Sequence, residues 1–200
     1  MFCGLVQRDQ FGSLWRTGNG FVRDLSINIG SLKTRGVDVQ ASYSMELGGL
    51  GGLSASFVGT WLDRLITDNG VTARECVKQF GAICGTPNPE WRHTLHVSWT
   101  HPTGIGLAGR WRYFSGVDND GSSARPADQR IPAQSYFDLT LTARIGDHYN
   151  FRLGVNNILD RDPPLVGSNA CPAGICNGNA YTQVYDALGR YIFAGITLDF

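Results

Sequence analysis

Five cysteines, a His-x-x-His pair, a short acidic run and five spaced arginines are the residues of this chain that could do chemistry. Cys76 and Cys84 share one polar stretch and Cys171 and Cys176 share another. In an oxidising compartment each pair can close a small ring worth about 2 to 3 kcal/mol. Zinc is the rival use of such thiols, but C-x7-C and C-x4-C without a neighbouring histidine are not the usual ligand spacings. Disulfides are therefore expected, leaving Cys3 with a partner expected upstream. His93 and His96 would share a metal only on a helix; in a strand, residues three apart point to opposite faces. Asp118-Asn119-Asp120-Gly121 opens like a calcium loop, yet Gln129 stands where the closing glutamate belongs. A polar turn explains it better. Gly49, Gly51 and Ser54 do not form a dinucleotide fingerprint, because a strand follows them instead of a helix. No nucleophile elbow or catalytic carboxylate pair is found, so the chain is read as a non-enzyme without metal or cofactor.

The arginines are Arg92, Arg110, Arg112, Arg144 and Arg152, and their meaning depends on the elements that carry them. From Arg35, Val37, Val39, Ala41, Tyr43 and Met45 alternate with Asp38, Gln40, Ser42, Ser44 and Glu46, the period of two of a strand with one apolar face. GGLGG at 48–52 turns the chain, and Leu53, Ala55, Phe57, Gly59 and Trp61 return it. The pattern recurs in Trp91 to Trp99, Ile105 to Tyr113, Phe137 to Ile145, Tyr149 to Val155 and Tyr191 to Phe200. Short turns at 48–52, 101–104 and 146–148 alternate with long polar segments at about 62–90, 115–134 and 160–188. Residues 1–34 read as an extended loop or hairpin arm. All five arginines fall on the polar face of these seven strands.

That arrangement suits a membrane. A tilted strand of about 9 to 11 residues crosses the hydrocarbon, and an outer-membrane barrel has short turns on one rim and long loops on the other. Trp91 and Trp99 cap the two ends of one apolar face, where indoles prefer the boundary with water. Charged residues make up only 17% of the chain, with 17 basic against 17 acidic, so no nucleic-acid footprint is present. No apolar run is long enough for a membrane helix, which leaves strands as the means of crossing. The residues after Met1 lack the features of a signal peptide. An export signal is expected upstream.

Three segments resemble TonB-dependent outer-membrane receptors: Asn28 to Asp38, similar to an N-x-G…R-G-V-D pattern; Val155-Asn156-Asn157-Ile158-Leu159-Asp160, similar to V-x-N-(L/I)-x-D; and the terminal Gly189 to Phe200. The resemblance covers nearly the whole chain. It implies an all-β, antiparallel transmembrane β-barrel of 22 strands, of which these seven would be the last, and a plug domain that is absent here, so that the chain is expected to be a fragment. It further implies outer-membrane lipid around the barrel in a Gram-negative bacterium, long loops outside, TonB acting through the plug, and uptake of a siderophore, corrinoid or oligosaccharide. Phe200 would be the residue read by the barrel assembly machinery. In that setting the five arginines would line the lumen, pairing with plug carboxylates or drawing an anionic cargo. Trp15, Tyr181 and Tyr185 would be loop aromatics able to stack on a ligand. The alternative from a different class is a soluble secreted β-sandwich binding carbohydrate through exposed tryptophans.

Overall fold

A computed structural model describes residues 2–24, 30–121, 128–146, 148–167, 171, 174, 176 and 178–199. The chain divides into two units, Met1–Gly30 and Ser31–Phe200. In the first, β1 (Val6–Gln7) pairs antiparallel with β2 (Phe21–Val22). Asp9 organises the turn between them: its carboxylate accepts the Phe11 N–H at 2.9 Å, and the Ser13 N–H and hydroxyl, both at 2.8 Å. Trp15 stands 83% exposed in this unit.

The second unit is built on a meander. Its strands are β3 (Ser31–Glu46), β4 (Gly52–Asp68), β5 (Ala73–Glu75), β6 (Gln79–Phe80), β7 (Trp91–Thr100), β8 (Ile105–Phe114), β9 (Val117–Asn119), β10 (Arg130–Ile131), β11 (Gln134–Ile145), β12 (Tyr149–Asn156) and β13 (Tyr191–Leu198). The main sheet runs β13-β12-β11-β8-β7-β4-β3, with β5 added on β4, and a small second sheet runs β10-β9-β6. The seven long strands pair antiparallel with their neighbours in sequence. The all-β barrel expectation therefore holds, as an open sheet that has not closed on itself.

Two boundaries differ from the sequence reading. β3 starts four residues before the clear alternation, and β4 runs seven residues into the segment read as loop. For β4 the cause is a β-bulge. Arg35 pairs with Arg64 while Gly36 pairs with Leu62, so β4 holds one extra residue at that point and its apolar period slips. Short turns are held by tight geometry. Gly51 has φ of +89° and closes on the Leu47 N–H at 2.7 Å, and the backbone of Thr100 lies against its α-carbon, so neither its conformation nor its surroundings accept a side chain. The Trp99 indole donates to the Leu50 carbonyl at 2.8 Å and pins the same turn.

The core does not lie on the apolar face of the main sheet. Val37, Val39, Leu139, Leu141, Leu153 and Ile196 on the apolar face are 40–54% exposed. A sandwich would need a second sheet covering that row, and none does among the described residues. Buried side chains gather instead at the long-loop end, where Phe80, Val117, Ile131, Tyr136, Val166, Cys171, Tyr181 and Tyr185 form one cluster. The two long connections before β11 supply Phe80, Val117 and Ile131, and the third supplies Val166, Tyr181 and Tyr185. The three connections therefore share a single cap.

Candidate functional site on the polar wall

Strand register sets the arginines. Arg110 on β8 lies directly across from Asp138 on β11, and Arg112 lies across from Tyr136. Arg110 Nε donates to Asp138 Oδ2 at 2.7 Å, and Arg112 reaches the same carboxylate at 3.1 and 3.2 Å. The Asn157 N–H adds a fourth donor at 2.8 Å. Asp138, its side chain 5% exposed, is thus saturated with donors, as a buried carboxylate must be to remain charged. Arg112 also makes a two-pronged bond to Asp186 of the third long connection, at 2.7 and 2.6 Å, and lies 5.2 Å from the Tyr136 ring. One guanidinium therefore ties β8, β11 and the cap together.

Beside this knot lies a cleft of about 240 Å³ lined by Arg110, Arg112, Asn156, Asp186 and Tyr191. A neighbouring cleft of about 250 Å³ shares Arg110 and Asn156 and adds His96, Thr140 and Phe193. Phe193 lies flat over Gly154, where a Cβ would collide with its ring, and Arg152 sits 5.6 Å from that ring. The wall thus offers paired cations and carboxylates, amide and hydroxyl groups and two aromatic surfaces, groups that hydrogen-bond and stack without covalent chemistry. Among the described residues no group of three or more histidine, cysteine or acidic side chains is placed to hold a metal.

The five arginines do not form one cluster. Arg92, Arg110 and Arg112 sit toward the long-loop end, whereas Arg144 and Arg152 line a separate cleft of about 340 Å³ near the short turns. Arg92 has no carboxylate within ion-pairing distance among the described residues. The disulfide pairs Cys76–Cys84 and Cys171–Cys176, with Cα atoms 5.4 and 5.7 Å apart, both lie in the cap, and Cys3 is free. Asp120, from the run that resembled a calcium loop, accepts the Ile83 and Cys84 N–H groups at 2.7 and 2.6 Å and braces the first disulfide ring. His93 accepts a bond from the Trp91 indole at 2.9 Å and packs against Phe57, Trp111 and Tyr113 on the apolar face.

Tyr181 and Tyr185 are not placed for the ligand stacking expected of them. They are 0% and 2% exposed, packed edge-on against Phe80 and Phe114, because the cap needs large apolar groups to fill its centre. Burial and the nearby Asp120 push the Tyr181 hydroxyl pKa up to about 12, and burial pushes Tyr185 up further. Trp15 alone of the three presents its ring. Phe200 lies outside the described residues, as do Asn28 and Ile29 of the first resembling segment.

Asp186 and the role of Asn157 were missed from sequence. Asp186 sits in a stretch without period, so nothing marked it. Asn157 was visible only as part of V-x-N-(L/I)-x-D, and its function is now plain. Fully buried with φ of +53°, it bonds the Arg161 carbonyl at 2.8 Å and the Arg161 N–H at 3.0 Å. Asp160 then accepts the Arg190 N–H at 2.8 Å and closes the base of the third connection.

Residues 6–158 match the family model described as TonB dependent receptor-like, beta-barrel. No curated protein matches the chain. Among solved structures, a double-mutant form of the ferric enterobactin receptor PfeA from Pseudomonas aeruginosa is similar over 84% of this chain at 14% identity with a TM-score of 0.54. The ferric-catecholate import receptor Fiu from E. coli K12, in a closed form, is similar over 97% of this chain at 17% identity with a TM-score of 0.53. This chain spans 22% and 23% of those two chains. With the model matched over most of its length and the same fold in the receptors, the chain belongs to the TonB-dependent receptor β-barrel family.

Proposed function

We propose that this chain forms a sector of the wall of an outer-membrane receptor that imports a scarce nutrient, with the long connections outside and the short turns on the periplasmic side. The observation that carries this reading is the family match over 6–158 on a sheet whose apolar face is bare. In water each half-exposed apolar side chain of that face forfeits about 1 kcal/mol of burial, whereas in hydrocarbon it forfeits none. Energy would come from TonB through a plug domain packed against the polar face, and no bond in the cargo would be made or broken by this chain.

Among siderophore, corrinoid and oligosaccharide, the wall favours a ferric siderophore. Arg110 and Arg112 are balanced by Asp138 and Asp186, and Arg92, without a carboxylate partner among the described residues, adds one positive charge to the polar wall, which attracts an anionic chelate and does nothing for a neutral sugar. The two similar receptors are described as carrying ferric enterobactin and ferric catecholates. The test is growth of the source cells, with and without the gene, on each cargo class as sole source under limitation. Loss of growth on ferric siderophore that a proton uncoupler mimics is expected. Unchanged siderophore uptake with lost corrinoid or oligosaccharide uptake would reassign the cargo, and no change on any would overturn the transport reading.

A further inference from the structure

We propose, on the transport reading above, that the forked bond between Arg112 and Asp186 is an exchange site for an anionic arm of the cargo. Asp186 holds the place of that arm while the cleft is empty. An arm of a ferric chelate entering the cleft takes Arg112 from Asp186 and so releases the third connection from the wall.

The two edges of the Arg112 guanidinium are held unequally. One edge, Nε and a terminal nitrogen, donates to Asp138, which is fixed on β11, 5% exposed, and also bonded by Arg110 and the Asn157 N–H. The other edge donates to Asp186, whose side chain is 23% exposed and whose carboxylate takes its hydrogen bonds from Arg112 alone among the described residues. Asp186 also stands on the looser backbone. Tyr185 before it is buried in the cap, and Arg190 after it is bonded to Asp160. Between those two anchors, residues 186–189 make no backbone–backbone hydrogen bond among the described residues. Of the two carboxylates on Arg112, Asp186 is therefore the one that can leave.

The neighbouring cleft fits this exchange. Residues 186–189 line one side of its space of about 240 Å³, and Arg110, Arg112, Asn156 and Tyr191 line the rest. A solute there meets both the segment and the guanidinium that holds it. Pockets enclosing a whole small molecule run to about 300 to 1,000 Å³, so this one takes a single arm of a chelate. Charge then selects the arm. In the closed state two guanidiniums, Arg110 and Arg112, stand against two carboxylates, Asp138 and Asp186, and the knot is neutral. With Asp186 withdrawn, two cations face one carboxylate, and the +1 that remains is neutralised by an anionic arm but not by a sugar. The adjacent oxygens of a catecholate or carboxylate match the guanidinium edge that Asp186 vacates. Asp186 is thus a specificity residue: cargo must outcompete a carboxylate already in place.

The experiment uses the full-length receptor in detergent, with iron(III) on a synthetic tricatecholate as the probe. Binding is read from quenching of tryptophan fluorescence, and release of the segment from chymotrypsin cleavage at the exposed Leu188. In wild type, saturating probe should speed that cleavage several-fold. Asp186→Asn should be cut at the faster rate without probe, show no further response to it, and bind it about tenfold more tightly, since no closed population opposes binding. Asp186→Glu should restore the probe-dependent cleavage. Asp118→Asn removes the same charge from an exposed carboxylate elsewhere in the cap, and screening should hold its affinity within about twofold of wild type. Unboiled electrophoretic mobility reports that each variant still folds. A purely structural tie predicts faster cleavage of Asp186→Asn at unchanged affinity. That result, an equal gain in Asp118→Asn, or slower cleavage of wild type with probe would overturn the exchange site and leave the transport reading intact. No binding of the probe by folded wild type would overturn the ferric-siderophore reading together with it.

Discussion

The cap and the sheet are made from one chain and obey opposite rules. In the cap, Phe80, Tyr181 and Tyr185 are removed from solvent, two disulfides close local rings, and Asp120 finds donors for its buried oxygens. In the sheet, residues as large as Leu153 and Ile192 are left half bare, and stability comes from strand pairing and an apolar exterior. The difference follows from the solvent each faces. A cap in water must build its own interior, whereas a wall in lipid is completed by the membrane.

The contrast can be broken from either side, and the largest effect is expected in the cap. Tyr181→Ala removes a fully buried ring from the shared core and should cost about 3 to 5 kcal/mol of cap stability, a cavity effect. Limited proteolysis should then cut at 69–90 and 178–189 while the strands stay protected. Next comes the sheet. Leu153→Arg on the apolar face of β12 should lower the yield of membrane-inserted protein by about 2 to 4 kcal/mol equivalent, and Thr140→Arg on the polar face should leave it close to wild type.

Alkali should separate the regions without mutation. The Tyr181 hydroxyl, raised from 10.0 to about 12, is neutral in the closed cap and ionised earlier in the open one. Its contribution is complete below pH 10 and is lost as pH climbs toward 12, a change of about 2 to 3 kcal/mol. Cap proteolysis should therefore rise across that window with strand content unchanged by circular dichroism. The smallest effect is Tyr185→Phe. The buried Tyr185 hydroxyl has no hydrogen-bond partner among the described residues, so its removal should be neutral or stabilise the cap by about 1 kcal/mol, measured as slower proteolysis.

The same contrast explains what the sequence could reveal. Strands in lipid must alternate strictly, so Val37 to Met45 and Phe137 to Ile145 were legible from period alone, and Trp91 with Trp99 showed where the apolar face ends. The bulge near Asp63 hid the upper part of β4, because one extra residue reverses the alternation. The cap was the least legible region. Its core draws single residues such as Phe80, Val117 and Tyr181 from distant loops, and no local spacing links them. For the same reason the two tyrosines looked like surface aromatics, and Asp186 gave no sign that it would meet Arg112.

The claim that the bare face meets lipid is tested most directly by residue-by-residue quenching along β11. Single fluorescent labels at positions 139 to 143 of the membrane-inserted protein would be read against brominated acyl chains in the bilayer. Strong quenching at 139, 141 and 143 with weak quenching at 140 and 142 is the predicted result. Equal quenching at all five positions, or quenching at the even positions, would contradict it.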